Sequence, residues 1–526
     1  MVAERLMVAF AGTTLPAEVA DRIADRPPAG VTLFPRHNLA NPAQVRSLTD
    51  ALQAAAPAAN RPLLVAADQE GGQLIGLGPS TTQFAGALAL GAAADESLSE
   101  RVARATGREL RALGVNVNYA PVCDLANAPA NPALGIRSFG DDPQAVGRLV
   151  AATVRGLQAE GVAATLKHFP GAGDTQTDPH EALPLIERTA AELEAYELAP
   201  FWAGLDAGAR LVMASHVAVP ALTGDDTLPA SLSRAVIFDL LREGLGFDGL
   251  ALTDALDMLA LAQGAAQVDN AVAALAAGED LLLGTPDAEL LARLEAGLAQ
   301  AVRDGLLDVE ADNASGQRLA ALRQWLAGFE QPPLDVVGST EHQQLARELA
   351  RRSITLVRDD GGLLPLRRDR DRRVAVIHSR PSDLTPADTS STVEPKLAAA
   401  LRRRLPGTVE LLLPALPSAA DIAAARERAR GFDVLVVGTF AAQLQPAQAA
   451  LAQSLLELGK PTITVALRTP WDLPTYPAAT THICSYGILP PTMEALAAAM
   501  TGEAGFPGRL PVAMGETYRR GHGLVR

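Results

Sequence analysis

Cysteine is nearly absent from this chain: Cys123 and Cys484 are the only two in 526 residues, far apart and each set in an apolar run. Neither offers the close spacing that metal sites use, so no metal centre is expected. Aromatic residues are also scarce, at 4%. Positive charge is outweighed, with 45 Lys and Arg against 60 Asp and Glu and a formal net charge of -15. No nucleic-acid partner is expected, because such proteins present a basic face to the phosphates. The densest basic cluster, "RRDRDRR" at Arg367–Arg373, is interleaved with aspartates and precedes the strand-like "VAVIH", as a solvated turn would be. Long apolar segments are missing too. The opening "MVAERLMVAFAGTTLPAE" carries an early acidic residue and too short an apolar run for a secretory signal, and no later segment reaches membrane-spanning length. The expectation is a cytoplasmic protein with no membrane partner.

What is present is a chain too long for one ordinary hydrophobic core, with 48% hydrophobic residues to bury. In the first two-thirds, short apolar runs alternate with alanine- and leucine-rich stretches of helical spacing such as "AVGRLVAATVRGLQAEG". The runs are "LMVAFAG", "GVTLFPR", "RPLLVAADQEGG", "GVNVNYAPVCD", "GVAATLKHFPG", "ARLVMASH", "FDGLALTDALDM" and "EDLLLG". Eight βα units are the number that closes a parallel barrel, so residues 1–335 are expected to form a TIM-type (β/α)8 catalytic domain. The texture changes after "FEQPPLDVVGSTEHQQ". A linker is expected over 336–344, followed over 345–526 by a second α/β sandwich domain with a mostly parallel sheet. Its strands are read at "RVAVIHS", "FDVLVVGTF" and "KPTITVAL", with helices at "QLARELARRSI" and "SAADIAAARERARG". No dinucleotide fingerprint accompanies "VLVVGTF", and no cofactor is expected.

Polar residues fall where a barrel enzyme builds its site. Asp68, Asp124, Lys167 with His168, His216 and Asp254 each close an apolar run, and the C-terminal ends of barrel strands carry the chemistry in this fold. Any α/β protein needs some polar residues at strand ends. A set repeated on one end points instead to a shared site. Asp254, after "GLALT", suits a nucleophile or a stabiliser of a developing cation, while Asp257 in the following turn reads as a helix cap. The stretch "KHFPGAGDTQTDPH", Lys167 to His180, is too rich in glycine and proline for a regular element. At its far end Asp178 and His180 flank one proline, so the carboxylate can orient the ring and fix its tautomer. "DQEGG" and "GIRSFGDDP" add Asp68 and Arg137 beside glycine turns, and planar carboxylates and guanidinium groups bind sugar hydroxyls in paired hydrogen bonds.

Taken in order, "GVTLFPRHN", "DQEGG", "NYAPVCDL", "NPALGIRSFG", "KHFPGAGDTQTDPH", "MASHV", "PASLS" and "GFDGLALTDALDM" resemble glycoside hydrolase family 3, in its β-N-acetylglucosaminidase branch. "SITLVRDDGGLLPL", "GRLPV" and "GHGL" resemble the family's second domain. The resemblance implies a retaining exo-acting β-N-acetylglucosaminidase on short cell-wall or chitin-derived saccharides. In it Asp254 attacks the anomeric carbon, and His180, oriented by Asp178, protonates the leaving oxygen and then activates water. It also implies that Asp68, Arg137, Lys167 and His168 bind the non-reducing sugar, with Asp124 and His216 standing behind them. A histidine acid/base departs from the usual pair of carboxylates. Two positions depart from the family pattern: Ala172 where a histidine often stands and Gln73 where an arginine commonly follows "DQEGG", changes expected to alter the rim of the site. The proline in "DPH" bears on how freely the loop moves. The alternatives are a β-glucosidase or β-xylosidase with a glutamate acid from the second domain, a phosphorylase, and a silent sugar-binding paralogue. The expected partner is a small saccharide, and monomer and homodimer both stay open.

Overall fold

The computed structural model describes residues 3–284, 286–367 and 373–526. The basic cluster read above as a solvated turn falls mostly outside the described residues.

Among the described residues, ten strands occupy the first part: β1 (Leu6–Val8), β2 (Gly30–Thr32), β3 (Leu64–Ala67), β4 (Gln69–Gly71), β5 (Leu74–Ile75), β6 (Val117–Asn118), β7 (Ala163–Phe169), β8 (Leu211–Ala214), β9 (Leu250–Ala255) and β10 (Leu281–Leu283). Eight of them close a barrel in the order β1-β2-β3-β6-β7-β8-β9-β10, and β4 and β5 form a separate small hairpin. Neighbouring barrel strands are parallel, as in the β6–β7 and β8–β9 pairs. Each apolar run singled out in the sequence carries one barrel strand.

The alternation of side chains along a strand explains why these runs are mostly apolar. Met7, Leu64, Ala66, Val117, Leu211, Met213, Leu250 and Leu252 share one buried cluster in the barrel interior. Their neighbours Leu6, Val8, Val65, Ala67, Val212 and Ala251 belong to a second cluster with the surrounding helices. Both faces are buried, so polar residues inside the strands, such as Asn118 and Thr165, are few and themselves buried. Leu319, Leu322 and Leu326, on one face of the helix Val309–Leu326, join the interior cluster. That helix is held at the N-terminal end of β1, where Arg5 Nε donates to Asp312 Oδ1 at 2.8 Å. One end of the barrel is thereby covered, and the C-terminal end is left for a site.

The second sheet contains β11 (Thr355–Asp359), β12 (Val374–Ser379), β13 (Thr408–Leu413), β14 (Val434–Thr439), β15 (Thr462–Ala466) and β16 (Thr481–Cys484). Their order is β11-β16-β15-β14-β12-β13. Only β11 runs antiparallel, against β16. Three of these strands were expected from sequence, and β11, β13 and β16 were not. β13 is an edge strand with alternate exposure, and Glu410 interrupts it. β16 buries Thr481 and His482, and the ring of His482 pairs through Nδ1 with Thr464 Oγ1 at 2.9 Å, so a central strand reads as polar. Among the described residues no helix is long and apolar enough to cross a membrane.

Candidate active site

The open end of the barrel holds a cavity of about 810 Å³, within the range of small-molecule sites. Asp68, Asp124, Arg137, Lys167, His168, His180 and Asp254 all line it. One wall comes from the second sheet domain, through Pro386, Ala387, Asp388 and Thr389.

Part of the wall is a charged lattice. Lys167, on β7, is buried, and its Nζ stands 2.7 Å from both Asp68 Oδ1 and Glu70 Oε1. Arg137 grips Glu70 with two bonds, Nε to Oε2 at 2.8 Å and Nη2 to Oε1 at 2.9 Å. Burial works to raise the Glu70 carboxyl, but the charges and hydrogen bonds of Arg137 and Lys167 win and hold it down to about 2. Burial opposes the charge on Lys167, yet Asp68 and Glu70 keep its ammonium above the ordinary value. The cluster stays ionised at neutral pH and presents fixed donors and acceptors to hydroxyl groups. Glu70 is the residue sequence reasoning missed. Its signal was there, since positions 68 and 70 lie on the same face of an extended segment.

His168 adds a second arm. Its Nδ1 donates to Asp124 Oδ2 at 2.6 Å, and its Nε2 accepts from Arg137 Nη2 at 3.3 Å. The Asp124 carboxylate also takes the backbone N–H groups of His168 at 3.2 Å and Ala172 at 2.8 Å. Asp124 therefore shapes the start of the loop after β7. Ala172 lines the cavity and is fixed through its backbone.

Asp254, near the end of β9, accepts from the Ala255 N–H at 2.8 Å. Burial alone would raise its carboxyl, but the rings of His168 and His216 and the Ala255 N–H together hold it below the ordinary value. His216 lies behind it, fully buried. Its Nε2 is 3.1 Å from the Ala255 carbonyl, which can only accept, so that nitrogen carries the proton and Nδ1 accepts from Ser231 Oγ at 2.7 Å. Burial pushes the His216 imidazole down. Asp257 caps no helix, contrary to the sequence reading: the next helix, Ala266–Ala277, starts after Ala265, and Asp257 is exposed in the turn and lines the cavity.

The dyad faces Asp254 from the far end of the β7 loop. His180 Nδ1 is 2.7 Å from Asp178 Oδ1, and the same oxygen accepts the His180 backbone N–H at 2.9 Å. Burial disfavours the imidazolium, but the Asp178 bond and charge, helped by Asp254, raise the ring above the ordinary histidine value. Asp178 is correspondingly lowered, against its own burial, by its bonds to His180. The Pro179 carbonyl accepts from Ala260 N at 2.9 Å, tying the dyad to the turn after β9.

Gln73 does not reach the rim, contrary to expectation. It is buried at 2% exposure, accepts the Ile136 N–H at 3.1 Å, and takes the Thr389 N–H on its own carbonyl at 2.7 Å. It fastens the second-domain wall to the β4–β5 hairpin. Asp388 in that wall is buried and ion-paired with Arg468. Among the described residues, no group of three or more His, Cys, Asp and Glu side chains is arranged to hold a metal ion.

The glycosyl hydrolase family 3 N-terminal domain model matches residues 3–322, and the C-terminal domain model of the same family matches residues 354–521. The chain belongs to glycosyl hydrolase family 3. Within the family it is 31% identical to β-hexosaminidase A of Pseudoalteromonas piscicida, over 95% of this chain and 92% of that one. It is 29% identical to a β-N-acetylglucosaminidase/β-glucosidase of Cellulomonas fimi, over 86% and 83% of the two chains. The solved structure of a family 3 β-N-acetylglucosaminidase from Paenibacillus superposes with a TM-score of 0.90 at 35% identity, covering 98% of both chains.

The charged lattice of this family 3 site carries its own expectation. Glu70→Ala leaves Arg137 without its paired acceptor and Lys167 with Asp68 alone, and removing one partner of a buried ion pair costs about 3–5 kcal/mol. Urea unfolding of the variant measures it. For wild type the sign with pH follows from a folded-state carboxyl near 2 against an ordinary 4.5. Glu70 contributes its full stability above pH 4.5 and loses it as pH falls from 4.5 towards 2.

Proposed function

We propose that the protein is a retaining exo-β-N-acetylglucosaminidase that removes terminal N-acetylglucosamine from short saccharides. One observation carries this reading: Asp254 and His180, the latter paired with Asp178, line a single cavity together with Asp68, Arg137, Lys167 and His168, and Glu70 ties Arg137 and Lys167 together from behind. The hexosaminidase relatives support the choice of sugar.

In the mechanism, the lattice and His168 hold the hydroxyls of the terminal sugar. The Asp254 carboxylate attacks the anomeric carbon as the bond to the leaving oxygen breaks. His180 gives its Nε2 proton to that oxygen, and Asp178 stabilises the imidazolium beforehand and keeps Nδ1 as the bound nitrogen. The result is a glycosyl ester on Asp254. His180, now neutral, takes a proton from water, whose oxygen attacks the anomeric carbon and releases Asp254.

The glucosidase alternative needs a glutamate acid from the second domain. Among the described residues lining the cavity there is no glutamate, and the acidic residue the second domain does supply, Asp388, is engaged by Arg468. A phosphorylase remains chemically reasonable, because a neutral histidine repels phosphate less than a carboxylate does.

A panel of aryl β-glycosides differing only at the 2-position tests the reading. The N-acetylglucosaminide is expected to exceed the glucoside in kcat/KM by at least about 10²-fold, as a site built around a polar substituent discriminates strongly. Added phosphate is expected to leave both rate and product unchanged. Preference for the glucoside, or a sugar phosphate as product, overturns it.

A further inference from the structure

The loop that presents His180 is fastened by a charged tie the chemistry above does not use. Asp174 lies before the dyad and Arg188 after it. Arg188 Nε stands 3.0 Å from Asp174 Oδ2 and 3.1 Å from Glu197 Oε1. The Glu197 side chain is wholly buried. The loop backbone rests on it directly, since a Cβ at Gly171 would stand 2.8 Å from Glu197 Cβ and 2.9 Å from its Oε2. Asn127 Nδ2 donates to Glu197 Oε1 at 3.3 Å from the other side.

The anchor for this tie is a hydrogen-bonded capping box. Arg188 immediately precedes a capped helix start, where Thr189 Oγ1 accepts the Glu192 N–H at 3.3 Å and Glu192 Oε2 accepts the Thr189 N–H at 2.9 Å. Glu197 closes the wide turn Leu193–Glu197 that follows. Asp174, by contrast, is 37% exposed and sits in irregular backbone. The tie therefore joins irregular backbone to a capped helix start, and closes the Asp174–Arg188 stretch into a loop with pinned ends. Pinning the ends of a loop removes conformations in which its middle wanders.

We propose that Arg188 and Glu197 are positioning residues that, through Asp174, set the place of the loop carrying Asp178 and His180, and so the reach of His180 Nε2 to the leaving oxygen. Burial holds the Glu197 carboxyl up to about 7, Arg188 and Asn127 draw it towards the ionised form, and Asp124 and Asp174 oppose that. Arg188 is thus the cation that favours the charged form of this carboxyl against its burial.

This inference rests on the hydrolytic reading above, and the experiment separates the two. Initial rates are measured for Arg188→Ala and Asp174→Asn with phenyl and 2,4-dinitrophenyl N-acetyl-β-glucosaminides, alongside hydrogen exchange of the backbone from residue 174 to 184. A dinitrophenolate leaves without a proton, so its kcat/KM ignores His180. A misplaced acid is expected to lower kcat/KM for the phenyl substrate by about 10- to 100-fold. The dinitrophenyl value should hold within about twofold, Arg188→Lys should restore part of the loss, and exchange across the loop should quicken. Equal losses on both substrates, no loss on either, or unchanged exchange overturn the tie. Failure of wild type to cleave either substrate overturns the hydrolytic reading instead, and the exchange comparison still decides the tie.

Discussion

Asp254→Asn is expected to lower kcat for an aryl N-acetyl-β-glucosaminide by at least about 10⁴-fold, the scale seen when a nucleophile is removed. The amide matches the carboxylate in shape and can still accept from the Ala255 N–H, so the fold and the lattice around Lys167 should survive. What is lost is the negative charge. Asp254 is kept below the ordinary carboxyl value despite its burial, which means the site spends its electrostatics on keeping that group ionised. No neighbour is placed to replace it: Asp257 is exposed in the following turn, and Asp68 is held by Lys167. Calorimetry on the variant should still detect sugar binding, and thermal unfolding should match wild type. In wild type, rapid quenching and peptide mass mapping should find the sugar on the peptide that contains Asp254. Near-normal turnover by the variant would remove Asp254 from the mechanism.

The barrel was legible because its strands are buried on both faces, so each reads as a largely apolar run with polar residues gathered towards its C-terminal end. Lys167, His168 and Asp254 were found that way. The dyad was legible for a different reason: Asp178 and His180 are two positions apart, so one turn brings carboxylate and ring together without tertiary information. Both signals are local. Glu70 was missed because Asp68 occupies the strand end and draws attention away from the same-face position two residues on.

Contacts of long sequence separation left no such trace. Nothing near Asp388 indicates that Pro386–Thr389 will reach the barrel, since the bond from Thr389 to the Gln73 carbonyl joins positions more than 300 apart. Gln73 looked like a rim substitution because a sequence gives position but not depth, and its burial follows from the second domain lying over it. Asp257 was misread for a similar reason. A carboxylate after a barrel strand usually finds a helix start nearby, but here the helix begins later, at Ala266.

His180→Ala should show its effect through the leaving group and the pH profile. For phenyl N-acetyl-β-glucosaminide kcat/KM is expected to fall by about 10²- to 10⁴-fold, the usual range for a general acid, while the dinitrophenyl substrate should be nearly unaffected in kcat/KM. Its kcat should still drop, because hydrolysis of the glycosyl ester also needs His180 as base, and added azide should restore it by attacking without deprotonation. The wild-type pH profile should have two limbs. Asp254 must be ionised, and activity falls as pH drops through its depressed pKa; His180 must be protonated, and activity falls as pH rises through its raised pKa. His180→Ala should therefore lose the alkaline limb and keep the acid one. Asp178→Asn separates charge from presence. The ring stays, but with the Asp178 carboxylate gone, burial, which opposes the imidazolium, acts with far less compensation. The alkaline limb should then move to lower pH rather than vanish. An unmoved alkaline limb in both variants would show that some other group donates the proton.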